Sequence, residues 1–181
     1  MLDDDRDPET RGEPRALMRL AAAYHAEAMA RIPSMQRDRL AAAPVRLGAL
    51  NAIELYLVAF LRARQVSSRE IRGWRHDLSR HAERAAALGL VLRRRTLNHL
   101  IAIAHTHEYR ALRHHPENVV PVPANRLAAT LEELGRKVAH ALAAPPARAA
   151  AAPPRRPCAI AAPRPAPLRP PPSAVGRSPT H

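Results

Sequence analysis

Apolar residues recur at helical spacing in five stretches of this chain, separated by polar or proline-bearing segments. The stretch that organises the rest runs from Leu47 to Arg64, where Leu47, Leu50, Ile53, Leu57, Phe60 and Leu61 fall on one stripe of an amphipathic helix. Glu54 lies inside that stripe. A carboxylate set among leucines must be paired, protonated or hydrogen-bonded, because an isolated buried charge costs several kcal/mol or more. The pattern therefore predicts a partner for it from another helix.

The other four helices follow from the same periodicity. Pro14 suits a first helical turn, and Leu17, Leu20, Ala21, Tyr24 and Ala28 carry a first helix to about Arg31, stopped by Pro33. The segment to Pro44 reads as a connector with a short helical turn over 39–43, and 65–73 reads as a loop around Ser67, Ser68, Arg69 and Glu70. Trp74, the only tryptophan, is expected as a lid on the edge of the core. Asp77 is placed to cap a helix whose inward stripe is Leu78, His81, Ala82, Ala85 and Leu88, ended by Gly89. A fourth helix begins near Arg94 with Leu97, Leu100, Ile101 and Ala104 inward and closes between Arg110 and Arg113. Prolines at 116, 121 and 123 break the chain before a fifth helix, Asn125 to Ala143, with Leu127, Leu131, Leu134, Val138 and Leu142 inward. On its outer face Glu132 meets Arg136 and Glu133 meets Lys137 at favourable spacing.

Composition narrows the fold. The 181 residues are 46% hydrophobic but only 3% aromatic, with much of the apolar content alanine, which favours helix packed on helix over a sandwich or barrel. The expectation is an all-α protein of packed helices. It comprises an acidic flexible leader (1–13), the bundle (14–144) and a disordered basic tail (145–181) of alanine, proline and arginine. The tail's segment from Arg164 to Pro170 has a polyproline-ligand look that compositional drift also produces. No apolar run approaches membrane-spanning length, and the acidic start is the reverse of a signal peptide. The chain reads as cytoplasmic, away from any membrane, and its lone Cys158 can form no internal disulfide.

A formal charge of +13 invites a nucleic-acid partner. Arginine, alanine and proline are also the amino acids of GC-rich codons, so charge alone does not make this chain a nucleic-acid binder. The polar residues that helical phase turns inward, or sets at helix ends near the core, are Asn51, Glu54, His76, Asp77, His107, Glu108 and Arg110. If the second and fourth helices are neighbours, Glu54 meets Arg110 or His107, with His76 and Asp77 closing the end. Such a group is either a perturbed-pKa site or a buried polar network that fixes helix register, and the network is the reading adopted.

Metal and cofactor chemistry find little support. His105, His107, Glu108, His114 and His115 are close in sequence, but none has the spacing that puts two imidazoles on one helix face with a base between them, so no metal is expected. The glycines are scattered and form no phosphate loop, so no cofactor is expected either. Cys158 and the serines at 67, 68 and 79 lack a nucleophile's context. Arg110 and His115 remain as a candidate pair for metal-independent ribonuclease chemistry, the arginine steadying phosphate charge and the histidine moving a proton.

The phrase Ala52-Ile53-Glu54-Leu55-Tyr56-Leu57-Val58-Ala59-Phe60-Leu61, followed by His76-Asp77-Leu78 and a helix closing at Gly89-Leu90, resembles the HEPN superfamily of small helical-bundle proteins. The resemblance spans the first helix through the fifth. It implies an all-α, up-and-down bundle of four to five helices, a homodimer, an RNA or nucleotidyltransferase-type partner, and a toxin-antitoxin or defence setting. Active members are ribonucleases whose Arg-polar-x-x-x-His motifs from two subunits share one site. Here Ala111 follows Arg110 where active members carry a polar residue, Val58 stands where related sequences have lysine, and the Arg110 to His115 segment runs toward Pro116. The expected role is a non-catalytic binding or regulatory module. The alternatives are a ribonuclease using Arg110 and His115 across a dimer, and a structural protein that recruits a partner through its tail.

Overall fold

The computed structural model describes residues 13–35, 39–119 and 123–143. The acidic leader apart from Glu13, the tail with Cys158 and the Arg164–Pro170 segment lie outside the described residues. Those residues form seven α-helices and no strand: α1 (Pro14–Arg31), α2 (Arg39–Ala63), α3 (Ser68–Gly73), α4 (Leu78–Ala87), α5 (Arg94–His105), α6 (Glu108–His114) and α7 (Ala124–Ala143). The all-α bundle is therefore present, built on five longer helices with two short ones between them.

The bundle is organised around α2, which packs against α1, α4, α6 and α7. From Ala49 to Leu61 every residue except Asn51 and Glu54 is buried, so the helix is apolar on all sides rather than along one stripe. Length and composition alone would let Leu40–Ala63 cross a membrane, which run lengths in the sequence did not suggest. In the bundle 72% of that apolar window is buried against other helices.

Several local expectations are corrected. α2 starts at Arg39 and runs through Pro44 instead of after it. Proline is most harmful in a helix interior. Pro44 lies in the second turn and is exposed, where the long buried stretch that follows outweighs its local cost. The 65–73 loop contains α3, whose start is fixed by Ser67: its hydroxyl accepts from the Glu70 N–H at 3.1 Å.

The fourth predicted helix breaks in two at His107, which takes a left-handed backbone conformation (φ 48°). The inward face of α5 is also rotated from the expected stripe, being Thr96, His99, Leu100 and Ile103. Glu133 is a further correction. It is buried rather than on the outer face of α7, accepting from Thr96 Oγ1 at 2.6 Å and from the Arg93 N–H at 2.7 Å. Lys137 still stands 3.8 Å away. Burial works against the charge of Glu133, but those two bonds and the nearby Lys137 and Arg93 hold its pKa below the usual glutamate value.

α1 buries Leu17, Ala21 and Ala28, but Leu20 and Tyr24 of its expected stripe are exposed; the stripes of α4 and α7 stand. α4 buries Leu78, His81, Ala82 and Ala85, with Leu88 packed on the core, and Gly89 (φ 96°) closes it with Leu90 N–H bonded back to Ala85. α7 buries Leu127, Leu131, Leu134 and Val138. Trp74 packs part-buried at the core edge, its ring edge-on to His81 at 5.4 Å.

Candidate functional site

Glu54 has a partner, and it is His76. The imidazole Nδ1 lies 2.9 and 3.2 Å from the two carboxylate oxygens. The pair joins α2 to the turn between α3 and α4. It is an ion pair when His76 is protonated and a charge-assisted hydrogen bond when it is neutral. His76 stacks on Tyr109 of α6, ring centroids 4.0 Å apart and planes within 10°. Tyr109 in turn donates its hydroxyl to Asn51 Oδ1 at 2.6 Å. One turn earlier on α2, the buried Arg46 grips the buried Glu108 through Nε at 2.9 Å and through a second guanidinium nitrogen.

Of the residues expected in this network, Asn51, Glu54, His76 and Glu108 are placed around the contact of α2 with α6 and the 74–77 turn. Asp77 instead caps α4, accepting from the N–H groups of Ser79 at 3.1 Å and Arg80 at 3.3 Å. Burial opposes its charge, but these bonds, the Ser79 hydroxyl and the Arg80 charge lower its pKa. His107 is exposed and precedes α6 without entering the network. Neither His107 nor Arg110 is the partner of Glu54.

Two members were missed in the sequence. Arg46 sits on the Leu50, Ile53, Leu57 stripe at one turn's spacing, the signal that could have found it. Tyr109 shares its spacing with the buried Leu112.

Above the network opens a cleft of about 650 Å3. Trp74, Ile103, Ala104 and Tyr109 give its apolar lining. Its polar lining is mostly basic: Arg75, Arg110 and Arg113, with His76, His105, His107 and His114, against one acid, the capping Asp77. The Arg113 guanidinium lies 5.5 Å from the Tyr109 ring centroid, within cation–π reach. Two residues of the lining, Arg75 (φ 52°) and His107 (φ 48°), hold the left-handed conformation that non-glycine residues seldom adopt. Each turns the chain sharply at a helix end, and strain of this kind gathers at functional sites.

No family model, curated protein or solved structure matches this chain.

Arg110 is exposed and lines the cleft. His115 does not line it, and its Nδ1 lies 3.8 Å from Glu117 Oε1 with the side chain 70% exposed. It is the neighbouring His114 that reaches the cleft. Below the cleft, His81 is fully buried and donates Nδ1–H to the Asp77 carbonyl at 2.7 Å. Burial lowers its pKa, outweighing that bond and the nearby carboxylates. Among the described residues, no group of three or more histidines, cysteines and acids is placed to hold a metal ion. Chemically, the arrangement offers a concave cationic surface with an aromatic wall, suited to an anion that also carries a flat apolar part.

Proposed function

We propose that this chain is a HEPN-like helical-bundle module that binds RNA through its phosphates in the cleft between the 74–77 turn and α6, without cutting it. The observation that carries the reading is the lining of that cleft, where three guanidiniums converge with four imidazoles against one carboxylate already engaged as a helix cap. Arginine suits this role because its planar fork binds phosphate oxygens in pairs and keeps its charge at any physiological pH. Clustering in one concavity separates this signal from the diffuse arginine content that codon bias produces.

The ribonuclease alternative draws support from Arg110 in the cleft. Against it stands His115, which is outside the lining and turned toward Glu117. The homodimer and a nucleotidyltransferase-type partner belong to the same family reading.

Binding of a labelled RNA oligonucleotide to the full chain, followed by anisotropy across a salt series in chelator, tests the proposal. Arg110→Ala/Arg113→Ala should weaken binding and flatten the slope of log K against log salt by about 1.4, at about 0.7 per lost phosphate contact on a single strand. The RNA should remain full length. Unchanged affinity and slope in the double variant would remove the cleft from the reading. Cleavage that disappears in Arg110→Ala and His115→Ala would replace it with the enzyme.

A further inference from the structure

We propose that His76 is a stacking platform for a nucleobase, so that the cleft takes single-stranded RNA base-first and not the phosphate backbone alone. The inference rests on the RNA-binding reading above and names how that same site recognises its ligand.

One face of the His76 imidazole is packed against Tyr109 at 4.0 Å and 10°. Tyr109 is only 7% exposed, whereas the His76 side chain keeps 41% of its surface open and lines the cleft. The ring's accessible surface is therefore turned away from Tyr109 and toward the space a ligand would fill. Its in-plane orientation is set by Glu54, whose side chain is 12% exposed, and Tyr109 beneath it is fixed by its bond to Asn51.

A ring held in this way loses little freedom when a flat ligand stacks on it, which is the advantage of preorganisation. A site for phosphate charge alone has no need of a locked aromatic stack. Bases stack on aromatic side chains with little regard for sequence, while phosphates track a positive groove. Both parts are present here, with Arg110 and Arg113 on the helix that carries Tyr109. At about 650 Å3 the cleft is within the roughly 300–1,000 Å3 of small-ligand sites. Duplex RNA keeps its bases inside the helix and cannot offer one to the platform.

The test compares three labelled RNAs of equal length binding to the full chain at low salt: a single strand, the same strand with abasic sites throughout, and the duplex. The single strand should bind about 5- to 150-fold tighter than the abasic strand, the range one stacked base supplies. His76→Ala should erase that difference, and His76→Phe, which keeps a flat ring but no titratable nitrogen, should restore most of it. Equal binding of the intact and abasic strands to the parent protein would overturn the platform and leave the phosphate reading standing. Binding to neither would overturn the phosphate reading as well. Duplex bound as tightly as the single strand, or Phe behaving like Ala, would also overturn the platform.

Discussion

Removing Arg46 should cost this protein more stability than any other single charge deletion at its core. The Arg46 and Glu108 side chains are 4% and 3% exposed, and the guanidinium meets one carboxylate oxygen through two nitrogens. Arg46→Met keeps most of the aliphatic stem but leaves Glu108 buried without its cation. Breaking a buried pair from one side costs about 3–5 kcal/mol, against a total stability of roughly 5–15 kcal/mol for a domain. At about 4 °C per kcal/mol for a chain of this size, the midpoint should fall by about 12–20 °C. Arg46→Met/Glu108→Leu should return to within about 1 kcal/mol of the parent or exceed it, because neither charge then needs desolvating. Urea unfolding followed by circular dichroism at neutral pH measures all three proteins, with equal m values required for the comparison. A single variant within about 0.5 kcal/mol of the parent would mean the pair is solvated and does not anchor α6. A double variant as weak as the single one would assign the loss to packing instead of charge.

Two further outcomes follow from buried polar contacts. His99 is 5% exposed and bonded to Thr130 Oγ1 at 2.7 Å; burial, then the charges of Arg126 and Arg46, push its pKa down to about 4. It is neutral when folded and protonated when unfolded between pH ~6.5 and ~4, so stability present above pH ~6.5 is lost as pH falls through that window, by up to about 1.4 kcal/mol per pH unit. His99→Gln should flatten this part of the urea-stability curve, and an unchanged slope would refute the assignment. Gly135→Ala should destabilise despite alanine's better helix propensity of about 1 kcal/mol. The new Cβ would stand 3.1 Å from the Tyr56 hydroxyl and 3.3 Å from His25 Nδ1, two groups bonded to each other at 2.9 Å, and the Tyr56 ring is buried in the packed core. A raised melting temperature would show that the contact of α7 with α2 has room to spare.

Periodicity found the five longer helices because their apolar positions repeat for three turns or more, and it placed the caps at Asp77 and Gly89 because those residues act locally. It failed where distant partners decide. Thr96 and His99 look polar in sequence yet point inward, since α7 brings Glu133 and Thr130 to meet them. That pairing rotated the face of α5 away from Leu97 and Ile101. The helix break at His107 carries no glycine or proline to announce it, whereas α3 was announced by Ser67 and Glu70 at capping spacing and overlooked. The same division runs through the site. A partner for Glu54 follows from burial alone, but that the partner is His76, and that Arg46 answers Glu108, depends on how the helices cross. The cleft was the least legible feature, because its basic groups come from the 74–77 turn, the end of α5 and α6 and converge only in three dimensions.

This arrangement ties one wall of the cleft to the core through a short element. A seven-residue helix is not stable in isolation, and α6 is held by Glu108, Tyr109 and Leu112 on its buried side while Arg110, Arg113 and His114 face the cleft from the other. The contacts that keep α6 helical are thus the ones that present its cations. Any ligand bound by those cations favours the anchored α6 over the loosened one, and it stabilises the whole bundle by mass action. The deep ion pair and the cleft-facing arginines consequently act on opposite sides of the same helix: weakening Arg46 should loosen the cleft, and filling the cleft should recover part of what Arg46 supplied.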